Sequence, residues 1–210
     1  IKAEIAFNKA IKLNPKLGGA HFGYAKALME QKRYSDSNKS FLKAAELNPE
    51  KHHPYWGLME LNLVQKQYKQ AQKELNKAIE LSPRLGRLKL KRADIYFQIG
   101  DKDKAVAIYK TVAKYKNLID EKYSAIESYQ KLGAIYQADK LYSKAELAYR
   151  NALKYNSELP IALNNLAQII IEQQQKERYT QAIEWAQKAN VVSPKTATIL
   201  DTLAWLSHLK

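Results

Sequence analysis

The chain has 210 residues, an apolar fraction of 46%, no cysteine and a net charge of +14. This is the composition of a folded chain rather than a disordered one, and it excludes disulfides and thiolate metal sites. No run approaches the roughly 18 consecutive apolar residues of a membrane span, no signal peptide is visible, and the opening without Met inside a helical pattern leads us to expect a fragment of a longer protein.

Taken in order, a first helical segment (1–14) carries Ala3, Phe7 and Ala10 and runs into the phrase KLNPKL. A helix pair follows at 18–31 and 35–48, with Ser37, Phe41 and Ala44 in its second member and ELNPEK behind it. The next pair, 52–65 and 69–82, holds Ala71, Leu75 and Ala78 and closes on ELSPRL. Its Pro54 falls in the first turn, where the missing N–H costs nothing. Further pairs are expected at 86–99 with 102–117, 121–139 with 143–156 and 160–175 with 179–193. Their second helices carry Ala105, Tyr109, Val112, then Ala145, Tyr149, Ala152, then Ala182, Ala186, Ala189. Gly100 and Asp101 make the turn of the third pair, and a last helical segment covers 196–209.

These residues recur. Pro15, Pro49 and Pro83 stand 34 apart, and each is preceded by a small, a bulky and a second small residue at spacings of four and three. That spacing puts the three on one helical face, where alternating sizes let helices interlock. A second track runs through the first helices at Ala25, Met59, Ala93, Gly133, Ala167 and Ala204, and Tyr34, Tyr68, Tyr142 and Tyr179 each lie three before the small residue of a second helix. A 34-residue helix–turn–helix period with these tracks resembles the tetratricopeptide repeat (TPR) family over essentially the whole chain. The resemblance implies an all-α, right-handed superhelix of five full repeats (18–51, 52–85, 86–125, 126–159, 160–195) with a partial repeat at each end (1–17 and 196–210). More repeats or another domain are expected on both sides, since terminal repeats normally carry a polar cap. Four residues depart from the pattern. Ser37 and Met59 replace small residues, Ala186 replaces an aromatic, and Arg92 stands where a buried Leu belongs.

Two insertions break the period. Ala105 to Ala145 is 40 residues, so the helix ending at Ala138 should start early, near Asp120, and bend the superhelix there. Ala145 to Ala182 is 37 residues, and the extra three, in QQQKER, should lengthen the helix that begins near Pro160.

No catalytic constellation is visible. Of the 14 tyrosines, all but Tyr123 fall at repeat positions that pack between helices, which favours core over stacking on bases or sugars. His52-His53 has no third ligand at metal spacing and reads as a solvated loop. Gly18-Gly19 reads as an inter-repeat turn, not a phosphate loop. We therefore expect no enzyme activity, no metal and no cofactor.

The resemblance implies a partner held in a concave groove lined by first helices. The matching positions are Phe22, Lys26, Trp56, Glu60, Leu63, Arg87, Leu90, Asp94 and Phe97, with Gln130, Asn164 and Gln168 further on. A chaperone carboxylate clamp holds its ligand with Lys, Asn and Arg in the groove; the matching positions here are Phe22 and Lys26, Trp56 and Glu60, Leu90 and Asp94, so that clamp is absent. An asparagine ladder is absent too, since Asn165 is matched by Gly23, Gly57, Lys91 and Lys131. Glycine inside a helix costs about 1 kcal/mol, so Gly23 and Gly57 after the aromatics imply either close approach of a ligand backbone or tight helix packing. Arg84, Arg87, Lys89, Lys91 and Arg92 run with no acidic residue until Asp94, a cluster that would attract an acidic peptide, an anionic polysaccharide or a nucleic acid. Residues 1–100 hold 19 basic and 9 acidic side chains against 16 and 12 in 101–210, so the excess is mostly N-terminal. Lysines such as Lys39, Lys43, Lys73 and Lys77 fall on outward faces.

The expected function is a non-catalytic scaffold for a protein or peptide partner with acidic residues. The alternatives are direct binding of an anionic polymer (glycan or, less favoured, nucleic acid) and a docking arm for a catalytic domain elsewhere. The phrases PIALNNLAQIIIEQ, AIEWAQKAN and TILDTLAWL resemble bacterial arrays of exopolysaccharide-export and PEP-CTERM-associated systems. That resemblance implies a bacterial source and a periplasmic or cell-envelope setting rather than the cytoplasm.

The face assignment is testable. Tyr109→Ala removes an interlocking aromatic and should cost about 3–5 kcal/mol in denaturant unfolding. Lys43→Ala on the outer face should change stability by less than about 0.5 kcal/mol. Equal effects would mean the faces are assigned wrongly.

Overall fold

The structure is a computed structural model that describes residues 2–83, 85–114 and 119–208, with the side chains of 119–121 left outside the description. The described residues form helices and turns only. In chain order the helices are α1 (Lys2–Leu13), α2 (Gly18–Glu30), α3 (Tyr34–Leu47), α4 (His52–Val64), α5 (Tyr68–Leu81), α6 (Gly86–Gln98), α7 (Lys102–Val112), α8 (Ile119–Ala138), α9 (Tyr142–Tyr155), α10 (Pro160–Glu172), α11 (Tyr179–Val192) and α12 (Ala197–His208). Two compact units, 1–105 and 106–210, divide the chain inside α7.

Consecutive helices pack against one another from α1 to α6 and from α8 to α12, and some first helices also touch across repeats: α2 with α4, α8 with α10, and α10 with α12. No corresponding contact joins α3 to α5 or α9 to α11 among the described residues. First helices therefore lie on the inner side of each stack.

The small–large–small triads supply the core. Ala71, Leu75 and Ala78 of α5 pack with Met59 of their own first helix and with Leu88 and Ile95 of the next. In the second unit Ala145 and Tyr149 of α9 pack with Ala162, Leu166 and Ile169 of α10. One buried face thus serves two rungs. Tyr109 and Tyr149 are among the largest fully buried side chains, and Tyr123, 68% exposed, is the one tyrosine on the surface among those described.

The departures from the repeat pattern are mostly accommodated. The Ser37 hydroxyl donates to the Ala25 carbonyl at 2.8 Å, so a polar atom at a buried small position is satisfied. Ala186 is itself fully buried, and its neighbour Trp185 packs against the same cluster. Arg92 remains the poor fit, because its buried Nε finds no hydrogen-bond partner.

First helices end in a shared way. Lys32, Lys66, Gly100, Lys140 and Gln174 all have positive φ (61°, 58°, 88°, 58° and 52°). At each, the following N–H reaches back to a carbonyl five residues earlier: Arg33 to Leu28, Gln67 to Asn62, Asp101 to Tyr96, Leu141 to Tyr136, Gln175 to Ile170. The left-handed residue itself donates to the carbonyl three back, giving a Schellman stop.

The insertions resolve differently. α8 starts at Ile119, as the long spacing predicted, and runs 20 residues against 13 for α2, α4, α6 and α10. The bend expected beside it falls on 115–118, outside the described residues. α7 stops at Val112, short of the expected 117. The QQQKER insertion does not lengthen α10, because Gln174 stops that helix at its usual length and Lys176–Arg178 form a 3-10 turn instead. The turn sets Arg178 against Glu146, with Nη2 at 2.7 Å. Arg33 and Glu4 occupy the matching positions in the first unit and make the same 2.7 Å pair. The Arg178 guanidinium, with help from Arg150, holds the Glu146 carboxyl below its ordinary range against the opposing pull of burial. The inserted residues preserve a link between rungs.

Left-handed geometry costs a non-glycine residue roughly 1–2 kcal/mol. Lys66→Gly should raise stability by up to about 1 kcal/mol, and Gly100→Ala, where an added Cβ meets no atom within 4 Å, should lower it by about 1 kcal/mol, both read as Tm. A neutral Gly100→Ala would show that the turn is not strained.

Candidate functional site: the first-helix face

The inner face of the 1–105 unit is built on α2, α4 and α6. Phe22 is half-buried, with its ring 5.6 Å from Phe41 and 6.2 Å, edge-on, from His53. One rung on, Trp56 lies half-buried against the core of α5, and the Arg87 guanidinium stands over its ring at 5.5 Å. A cation over an indole face is attracted by the ring quadrupole. Leu63 is half-buried beside the same core, and Phe97 is 49% exposed. Lys91 and Asp94 lie one turn apart and pair loosely at 4.0 Å, while Lys26 is exposed and Glu60 half-buried. Phe22, Lys26, Trp56, Glu60, Leu63, Arg87, Lys91, Asp94 and Phe97 thus all keep some accessible surface.

Two expected groove residues do not. Leu90 is 3% exposed and joins Leu88, Ala93 and Ile95 in the buried set of α6. An aliphatic side chain gains more from packing inward than from lining a wet groove. Asn164 is also 3% exposed, a core residue of α10 whose Oδ1 has no hydrogen-bond partner. Nearby Gln168 stays half-buried and donates to the Thr202 hydroxyl at 3.4 Å, and Gln130 on α8 is half-buried.

The helical glycines are explained by packing. A Cβ on Gly57 would stand 2.3 Å from the Phe41 ring, and one on Gly23 would stand 2.3 Å from the Phe7 ring. Gly133 meets Tyr149 in the same way, at 2.5 Å. The large residue of a second helix occupies the space the glycine leaves, so no ligand backbone is needed to account for it.

Two other readings change. Gly18 and Gly19 are not a loop but the opening residues of α2, and His52 and His53 open α4. His52 is half-buried, its Nδ1 2.9 Å from the Ser82 hydroxyl and its ring stacked 4.0 Å from His53. Burial, and then the neighbouring His53 and Arg87, push its pKa down. Among the described residues no three His, Cys, Asp or Glu gather as metal ligands, and no helix is long and apolar enough to cross a membrane. The sequence reading missed Lys51, His53 and Pro54, which border a cleft beside Phe22. The glycine pair ahead of Phe22 was the available signal.

Comparison with known proteins agrees with this architecture. The tetratricopeptide repeat family matches residues 62–127 and, in a second version of the repeat, residues 132–191. No curated protein matches the chain. Among solved structures it is similar to the C-terminal part of a TPR repeat-containing protein from Cytophaga hutchinsonii, at 16% identity and TM-score 0.74, covering 99% of this chain and 80% of that one. It is similar also to YrrB, a TPR protein with an unusual peptide-binding site, at 18% identity and TM-score 0.60 over 93% of this chain and 96% of that one. A chain of the APC/C Cut9-Hcn1 hetero-tetramer matches at 20% identity and TM-score 0.69 over 98% of this chain, which spans only 39% of its length. Such identities show a shared fold. With more than half of its residues matched by the repeat itself, the chain belongs to the tetratricopeptide repeat family.

Proposed function

We propose that the chain is a non-catalytic scaffold that holds a peptide segment of a partner protein on the first-helix face of the 1–105 unit. A TPR fold supports a protein-interaction role in general. The observation that carries the particular site is Trp56 under Arg87, an aromatic surface and a cation presented together. Phe22 and Phe97 extend the apolar surface along the neighbouring helices, and Lys26 adds positive charge. The complementary partner carries apolar anchors followed by acidic residues. The envelope-like phrases of the C-terminal third favour a bacterial cell-envelope assembly as its setting.

The outer face fits an anionic polymer less well. Its cations are partly neutralised by carboxylates one turn away: Lys43 by Glu46 at 2.8 Å, Lys77 by Glu80 at 3.3 Å and Lys39 by Asp36 at 3.9 Å. Such exposed pairs contribute little to stability, but they lower the net charge on offer to a polyanion.

The test uses a partner recovered with the chain as bait. Trp56→Ala should weaken its binding by about 2 kcal/mol or more while helicity stays unchanged. Arg87→Glu should slow association and alter its salt dependence more than it changes the off-rate. Binding that ignores both substitutions, and collapses steeply with salt in the way of a polyanion, would move the site to the outer face.

A further inference from the structure

The repeats are not equivalent on their inner face, and the difference lies at the start of α2. Its first two residues are Gly18 and Gly19; one repeat later the same positions hold His52 and His53, and two repeats later Gly86 and Arg87. A Cβ on Gly18 would meet the side-chain amide of Asn48 at the end of α3, a contact that a turn of the Asn48 side chain relieves. A Cβ on Gly19 meets no atom within 4 Å. Gly19 stands in the first turn of α2, and no packing contact accounts for a glycine there.

What the glycine leaves is a cleft of about 230 Å³ between α2 and α4. The Phe22 ring and Pro54 give it apolar walls, and His53 stands edge-on to Phe22 at 6.2 Å. Lys51 is exposed at its rim, and no acidic side chain lines it. In the next repeat the matching depression is larger, about 480 Å³, but it is lined differently. His52 and His53 replace the glycines, and Arg87 stands over the Trp56 ring at 5.5 Å. That depression, at His52, Ser82, Pro83 and Leu85, does not reach Trp56. The open cleft is smaller than a typical small-molecule site of about 300–1,000 Å³, and its size suits one bulky side chain.

We propose that this cleft receives a single aliphatic or aromatic side chain of the partner peptide, with a carboxylate of the same peptide lying beside Lys51. The apolar walls select the anchor, and the positive rim free of acidic groups selects the charge next to it. Gly19 is then a specificity-determining residue, kept small so that the anchor can enter. This rests on the inner-face reading given above and names one side chain of the segment it binds.

A library of random peptides displayed on phage, selected on the immobilised wild-type chain, supplies the probe. Enriched peptides should share a bulky apolar residue within a few positions of Asp or Glu. Gly19→Leu, which fills the cleft, should leave Tm unchanged and weaken their binding by about tenfold or more. Gly19→Ala should weaken it less, and Lys51→Glu should weaken peptides carrying the carboxylate more than versions with Asn or Gln in its place. Peptides that tolerate Gly19→Leu but lose binding with Trp56→Ala would overturn the cleft assignment and leave the inner-face reading standing. Peptides indifferent to both, or no enrichment at all, would overturn both.

Discussion

The structure depends on one steric fit, a bulky ring of a second helix lodged where a first helix has no side chain. Phe7 fills the space at Gly23, Phe41 that at Gly57 and Tyr149 that at Gly133, each with ring atoms closer than about 3 Å to where a Cβ would be. Close packing at interior density leaves no room for a methyl group at such a place. The fit brings helix axes close together and fixes the rotation of one helix against the next. Because the same second helix also packs on the following first helix, as Leu75 does between Met59 and Ile95, rotation is passed from rung to rung. First helices consequently fall on the inner side of each unit, and the residues that this leaves accessible are the ones free to acquire a binding role.

At the QQQKER insertion the chain restores the period in the turn. Five left-handed residues stop first helices at the same relative position, and only one of them, Gly100, is a glycine. Lysine or glutamine tolerates the strained backbone at the other four because the Schellman hydrogen bonds and the packed second helix behind them hold the turn in place. The three residues inserted before Tyr179 are absorbed in a short 3-10 turn, after which Arg178 meets Glu146 as Arg33 meets Glu4. A repeat protein can therefore accept insertions between its helices while its interlocking faces stay in register.

Much of this was legible in the sequence, and the boundary of what was not has a physical origin. Helix pairs, the buried triads and the early start of α8 follow from spacing, because a periodic apolar face can be buried in only one way. The length of α10 was misjudged since nothing in QQQKER marks Gln174 as left-handed; that conformation is imposed by the turn. Leu90 and Asn164 occupy groove positions by register yet lie buried, because accessibility depends on how neighbouring helices close over them, a tertiary property. The purpose of Gly23 and Gly57 could not be decided from one strand of sequence, as the rings that explain them, Phe7 and Phe41, lie in the preceding second helices. The cleft at Gly19 had a signal in the glycine pair, but its walls, Phe22, His53 and Pro54, come together only in the fold.

The inner face of the first unit thus combines features that follow from the fold with features that the fold does not require. Trp56 is partly structural, packing against the buried core of α5, whereas Arg87 over the indole and the open space at Gly19 add nothing to the interlock. The most direct measurement of whether this face is the binding surface is amide hydrogen exchange of the chain with and without a selected peptide. The account predicts slowed exchange concentrated in α2, α4 and α6, with α3 and α5 unchanged. Slowing confined to α3 and α5 would contradict it and assign recognition to the outer, lysine-bearing surface.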